Sequence, residues 1–271
     1  MFLPPLLFDI DFNLIKHDIG QAIPAYVSSL WTVDPDGPKI TSATTTSTTT
    51  VSNTPKLVAL TFDDGPYGTS TEKILSILES EHAPATFFLI GKNAEKFPDL
   101  VKRMYADHDD VGNHSYGHSR GLADETSVDF SSDVDMAENA IIKAAGRNTG
   151  GNSGNTAHPT LYRPPYGSLS QTMTDVLKAK GYRTILWDID TDDWDAEHIS
   201  TSNIIDRIRK GLKPGSIILL HDGRDTHINY PRQNTIDAIK PVIDGLRAEG
   251  YEFVTVTELM ARLGIEDTTV R

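Results

Sequence analysis

A chain of 271 residues is long enough for one large barrel-type α/β domain, a class that commonly fills roughly 200 to 250 residues as a single unit. Its 38 acidic residues outnumber 25 basic ones, for a formal net charge of -13; this argues against nucleic acid, whose binding depends on Lys and Arg neutralising phosphates, and favours a neutral or cationic substrate. Cysteine is absent, so disulfides and thiolate metal sites are excluded and any metal must rest on His and carboxylate groups; no stretch approaches the roughly 20 apolar residues that span a bilayer.

Residues 1–40 carry scattered hydrophobics such as Tyr26, Val27, Leu30 and Trp31 but are too few for an independent core. The apolar start, Met1 to Phe8, lacks a basic flank and is interrupted by Asp9 and Asp11, so no standard signal peptide is read there. Residues 41–55 are a Ser/Thr-rich run that reads as a linker or exposed strand. From residue 56 to 264, apolar runs of strand length alternate with segments of helical period, the pattern of repeated β-α units around a mostly parallel sheet. Strands are expected to begin at Val58, Ala85, Asp110, Leu161, Thr184, Ser216 and Phe253, with helices over 70–82, 93–106, 129–145, 170–180, 200–211 and 233–248. Pro241 predicts a kink or break in the last helix, and residues 265–271 form a short tail. Seven strands separated by helices imply an irregular (β/α)7-type barrel, whose chemistry is expected where strands end.

Five segments at such strand ends carry chemistry. Thr-Phe-Asp-Asp-Gly-Pro at 61–66 follows the apolar run Leu57 to Leu60, and Asp63 beside Asp64 is a costly pair of like charges unless a cation or an arginine compensates one of them. His114 and His118 are four apart, so one helical turn or a tight loop can aim both imidazoles at one point. Arg163 opens the stiff run Arg-Pro-Pro-Tyr-Gly, where it can orient a carboxylate and Tyr166 can line a pocket. Asp190 to Trp194 sets carboxylates beside an aromatic ring, as carbohydrate platforms do. His221 ends the apolar strand Ser216 to Leu220, a place where a neighbouring carboxylate can tune it for acid-base work. His17, His82, His108, His158, His198 and His227 lack such partners and read as surface or loop residues.

In this order, over residues 56–263, Thr-Phe-Asp-Asp-Gly-Pro, His-Ser-x-x-His, Arg-Pro-Pro-Tyr, Asp-x-x-Asp-Trp and Leu-x-His resemble the five motifs of the polysaccharide deacetylase (NodB-homology) superfamily, carbohydrate esterase family 4. The resemblance implies an irregular α/β barrel and hydrolysis of acetyl groups on a glycan. It implies that Asp63 is the general base, that Asp64, His114 and His118 ligate a divalent metal (Zn2+, with Co2+ or Ni2+ as alternatives), and that Arg163 positions Asp63. His221 is then the general acid supported by Asp190, Tyr166 offers a backbone amide to the oxyanion, and Trp194 with Leu219 walls in the acetyl methyl. The implied substrate is a GlcNAc-containing glycan such as chitin, its oligomers or peptidoglycan; the rivals are an O-acetyl esterase on acetylated xylan and a carbohydrate-binding pseudoenzyme. A monomer, secreted or in the cell envelope, is also implied. The chain departs from the family in Asp107-His108-Asp109-Asp110, where many relatives have a Gly-His-Glu-like lead-in, and in the Gly/Asn-rich run Gly146 to Asn155, expected as a mobile loop near the cleft.

Overall fold

The computed structural model describes residues 56–146, 158–224, 232–265 and 269–270. The expected N-terminal segment, the Ser/Thr run, the Gly/Asn-rich run beyond Gly146, most of the tail, and His17 and His227 lie outside them. Nine strands and eight α-helices follow among the described residues. The first half comprises β1 (Lys56–Asp63), α1 (Gly68–Ser80), β2 (Thr86–Leu89), α2 (Gly91–Lys96), α3 (Pro98–Ala106), β3 (Asp110–Asn113), α4 (Ser127–Ala144) and β4 (Leu161–Tyr162). The second comprises α5 (Gln171–Ala179), β5 (Arg183–Ile185), β6 (Ile189–Asp190), α6 (Thr201–Gly211), β7 (Ser216–His221), α7 (Gln233–Ala248), β8 (Tyr251–Phe253), α8 (Val256–Leu263) and β9 (Thr269–Val270).

All expected strands and helices have counterparts, the helices differ from expectation at three places, and β6 and β9 are additional strands. The helix expected over 93–106 divides at Phe97, where Pro98 starts α3; proline suits a first helical position and disfavours helix in the residue before it. Helix α7 runs through Pro241 without a break, its buried face of Ile236, Ile239, Val242, Ile243 and Leu246 packed on the core. Helix α8 was not expected, although Thr255 caps it by accepting from the Glu258 amide, as Thr126, Ser170 and Ser200 cap α4, α5 and α6.

Every strand pairing is parallel, in the order β6-β7-β1-β2-β3-β4-β5-β9, with β8 added beside the start of β1. Strands β5 and β6 stand near opposite ends of this order yet are joined by Leu186, Trp187 and Asp188 alone. A connection that short forces the sheet to curl until its ends meet. The strand expected to begin at Thr184 and run to Ile189 is therefore the seam of the barrel: its first part pairs with β4 and its last part with β7.

Alternation along the strands decides what faces inward. Val58, Leu60 and Phe62 of β1 join Ile218 and Leu220 of β7 in the layer beneath the helices. Leu57 and Ala59, with Phe88, Leu161, Ile185 and Ile217, fill the barrel interior and are closed off by Val256, Leu259 and Met260 of α8. The same parity carries Thr61 and Asp63 up β1, and Leu219 and His221 up β7, so the interior changes from apolar floor to polar rim at the strands' C-terminal ends.

Candidate active site

Two consecutive residues of a regular strand point to opposite faces, which would separate Asp63 from Asp64. Asp64 escapes this by adopting φ 74°, a left-handed conformation costing a non-glycine residue about 1–3 kcal/mol. The turn is held from both sides. Asn93 Nδ2 donates to the Asp64 carbonyl oxygen at 2.8 Å, and Gly223 lies so close that a Cβ there would meet that oxygen at 2.4 Å.

The histidines come from the loop after β3. His114 follows the strand directly, and His118 returns to it through left-handed backbone at Ser115 (φ 66°) and at His118 itself (φ 56°). Ser115 Oγ accepts from the His118 amide, and Asp133 of α4 accepts from the Tyr116 amide. Of the two expected arrangements, the tight loop is the one found. His114 Nδ1 lies 2.7 Å from the Arg163 carbonyl oxygen, to which only a protonated nitrogen can donate, so Nε2 carries the lone pair. That bare nitrogen faces Asp64 Oδ1 at 3.6 Å and Asp63 Oδ2 at 3.7 Å, and His118 Nε2 lies 3.2 Å from Asp64 Oδ1. Burial, reinforced by the second histidine, holds His114 neutral, with its pKa down at about 3. A lone pair aimed at carboxylate oxygens is repulsive unless a cation or a proton donor stands between them. Asp64, His114 and His118, all buried and with ligand atoms within 4.8 Å of one another, could hold a metal ion, and their oxygen and imidazole donors fit one.

Arg163 lies behind this group, fully buried after β4. Its guanidinium donates to Asp63 Oδ1 at 2.8 Å and to Thr61 Oγ1 at 2.7 Å. It also donates to the carbonyls of Ile185 at 3.2 Å and Leu186 at 3.0 Å, at the end of β5 and the start of the connection to β6. One arginine thus seals the seam and orients a carboxylate. Burial pushes the Asp63 pKa above its ordinary 3.8, with Arg163 and His221 pulling the other way.

The carboxylate bonded to His221 differs from the one expected. Asp193, not Asp190, meets His221 Nδ1 at 2.7 Å, and its other oxygen accepts from the His221 amide at 2.8 Å and from Thr235 Oγ1 at 2.8 Å. Burial opposes the imidazolium, but the Asp193 charge and hydrogen bond outweigh it and hold the His221 pKa at about 9. Asp190 instead accepts from the Asp192 amide at 2.9 Å. The motif contains both aspartates, and only the fold distinguishes them: left-handed backbone at Asp192 (φ 55°) turns Asp193 inward toward β7 and α7.

Asp63, Asp64, His114, His118 and His221 line a cleft of about 420 Å³ together with Tyr166, Asp190, Trp194 and Leu219. Nine of the ten site residues expected from the sequence thus line one cleft, and Arg163 supports it from beneath. Tyr166 (φ 59°) sets its ring 4.5 Å from that of His118, and Trp194 is half exposed on the rim. Sequence reasoning missed Arg120, Trp187, Arg224 and Arg232 on the lining. Buried Arg232 donates to the carbonyls of Gly223 and of Asp193, the latter at 2.7 Å. No pattern signals it, because an arginine before a helix is ordinarily solvated. The Asp107 to Asp110 departure lies at the other end of the strands: Asp109 accepts from the Ala85 amide and Asp110 from the Thr257 amide of α8. His82, His108, His158 and His198 are exposed, in keeping with a surface reading.

The family profile described as polysaccharide deacetylase matches residues 50–185. The chain is 33% identical over 210 residues to a peptidoglycan-N-acetylglucosamine deacetylase of Bacillus cereus, covering 78% of this chain and 91% of that one. It is 32% identical to a chitooligosaccharide deacetylase of Azorhizobium caulinodans, covering 72% and 90%. The solved structure of a family 4 acetyl xylan esterase from Clostridium thermocellum in complex with a cobalt ion superposes with a TM-score of 0.66 at 29% identity, over 78% of this chain and 93% of that one. With the five motifs gathered at one rim of an irregular (β/α)7-type barrel, these similarities have one reading: the chain belongs to the polysaccharide deacetylase family.

Proposed function

We propose that the chain hydrolyses N-acetyl groups on a GlcNAc-containing polysaccharide or oligosaccharide, chitin-type or peptidoglycan-type, and releases acetate. The observation that carries this reading is the presence of a base candidate and an acid candidate at one rim beside a metal-type group: Arg163-bound Asp63 and Asp193-bound His221. Asp64, His114 and His118 are the proposed ligands, and Zn2+ the proposed ion, since imidazole and carboxylate donors suit it; Co2+ and Ni2+ are the alternatives. A divalent cation there supplies Lewis acidity toward the acetyl carbonyl and toward water.

In this reading Asp63 accepts a proton from the attacking water, and Arg163 keeps its carboxylate aimed. The Tyr166 backbone amide donates to the oxygen that becomes negative as the tetrahedral intermediate forms, while Leu219 and Trp194 pack on the acetyl methyl. His221, protonated up to a pKa of about 9, delivers a proton to the sugar nitrogen as the C–N bond breaks. An amide depends on that acid more than an ester does, because an amide anion is a much poorer leaving group than an alkoxide. A charged His221 therefore supports N-deacetylation over the rival reading, an O-acetyl esterase acting on acetylated xylan.

Residues 56–264 are the proposed catalytic domain, acting as a monomer outside the cell or in its envelope. No helix among the described residues is long and apolar enough to cross a membrane. The test is acetate release by zinc-loaded protein from chitooligosaccharide, peptidoglycan glycan strands and acetylated xylan. Release from the first two supports the proposal; release from xylan alone replaces it with the esterase. No release from any of them, with the metal fully bound, leaves a carbohydrate-binding protein.

A further inference from the structure

Net charge favours a neutral or cationic substrate, but the cleft does not share the charge of the whole chain. Three guanidinium groups, those of Arg120, Arg224 and Arg232, line it beside three carboxylates, those of Asp63, Asp64 and Asp190. A protonated His221 is matched by the Asp193 carboxylate bonded to it, so these lining charges balance, and only a divalent cation held there would tip the sum to positive. In a chain of net charge -13, a cleft whose lining charges balance repels an anion less than the rest of the surface does.

Arg120 is the most telling of these cations. It is exposed, and its guanidinium carbon lies 4.6 Å from the centroid of the Tyr166 ring. That ring in turn packs at 4.5 Å on His118, so one aromatic layer separates Arg120 from the proposed metal ligands. Among the described residues no carboxylate pairs with it. Stacking holds a planar guanidinium by its face and leaves its in-plane N–H groups pointing outward, the fork that binds carboxylate in a bidentate manner.

We propose that Arg120 is a specificity determinant for a carboxylate borne by the glycan one sugar away from the acetyl group being hydrolysed. The favoured substrate is then an anionic amino-sugar polymer rather than a neutral one. This rests on the glycan deacetylase reading above, and it selects among the substrates that reading allows.

The test uses the zinc-loaded full chain and two glycans of equal length, a peptidoglycan strand whose sugars carry lactyl carboxylates and the same strand with those carboxyls reduced to alcohols. Binding is measured by calorimetry and acetate release is followed in parallel. The wild type should bind the carboxylate strand more tightly, with a preference that shrinks as salt is raised. Arg120→Gln should cut the ratio of the two affinities by about tenfold, the worth of one charge-assisted hydrogen bond, while Arg120→Lys keeps part of it. Equal affinity for the two strands, or a ratio that Arg120→Gln leaves unchanged, overturns the proposal even if acetate is released. Arg120-dependent binding without acetate release keeps it and defeats the hydrolase reading instead.

Discussion

Asp63 and His221 are register partners at the C-terminal ends of two adjacent parallel strands, β1 and β7. Their shared parity puts both side chains inside the barrel rim, and their different partners, Arg163 and Asp193, set them to opposite tasks: one to hold negative charge, the other positive. Replacing Asp63 by Asn keeps the size and removes the basicity. Acetate release should fall about 10²- to 10⁴-fold, the usual worth of a positioned acid-base group, while zinc content measured by atomic absorption stays at the wild-type level.

The pH profile of kcat/KM follows from the same pair. The rising limb lies above the ordinary 3.8, where Asp63 ionises, and the falling limb near 9, where His221 loses its proton. Asp193→Asn removes the charge that holds the imidazolium and leaves burial to oppose it, so the falling limb should move down to 6.5 or lower. There is a stability counterpart with a fixed sign. The folded pKa of His221 exceeds its unfolded 6.5, so the pair stabilises the fold fully below pH 6.5 and loses that effect as pH rises through 9. The difference in melting temperature between wild type and Asp193→Asn should shrink over that window; a constant difference would count against the ion pair.

Arg163 satisfies four acceptors with one planar fork. Lysine carries the same charge on a single flexible nitrogen and cannot reach the seam carbonyls and Asp63 together. Arg163→Lys should therefore lower stability by about 2 kcal/mol or more through the buried acceptors left unmet, seen as a reduced denaturant midpoint, and should reduce kcat as well.

His114→Ala removes one of three ligand candidates and the side chain that bridges to the Arg163 carbonyl. Added zinc should raise the melting temperature of the wild type, because a ligand that binds only the folded state stabilises it. It should have little effect on the variant. An unchanged zinc response would remove His114 from the ligand set.

Gly65→Ala probes the underside of the aspartate turn. A Cβ there would come 2.0 Å from Asp222 Oδ2, and Asp222 cannot yield, being fully buried with that oxygen accepting from Thr71 Oγ1 at 2.5 Å. Relief must come from displacing Asp63 and Asp64, so the variant should lose about 1–3 kcal/mol of stability and bind zinc more weakly in a competition titration with a chelator.

The sequence by itself determined the repeating β-α order, since continuous apolar runs such as Leu57 to Leu60 and Ile217 to Leu220 suit strands covered on both faces. It also picked out nine residues that line the cleft and Arg163 beneath it, because paired carboxylates, paired imidazoles and an arginine in a rigid run are informative as residue types at strand ends. Local sequence could not decide that 183–190 divides into two strands at the barrel seam, that Arg163 bonds carbonyls there, or that Asp193 rather than Asp190 meets His221. Nor could it show that a chain of net charge -13 presents arginines to its own cleft. Those outcomes depend on closing the sheet, which brings residues remote in the chain within hydrogen-bond reach, and on left-handed turns at Asp64 and Asp192 whose cost is offset only by packing from other strands. Residue types and their order are local properties of the chain, whereas the partner each charge meets is a property of the closed barrel.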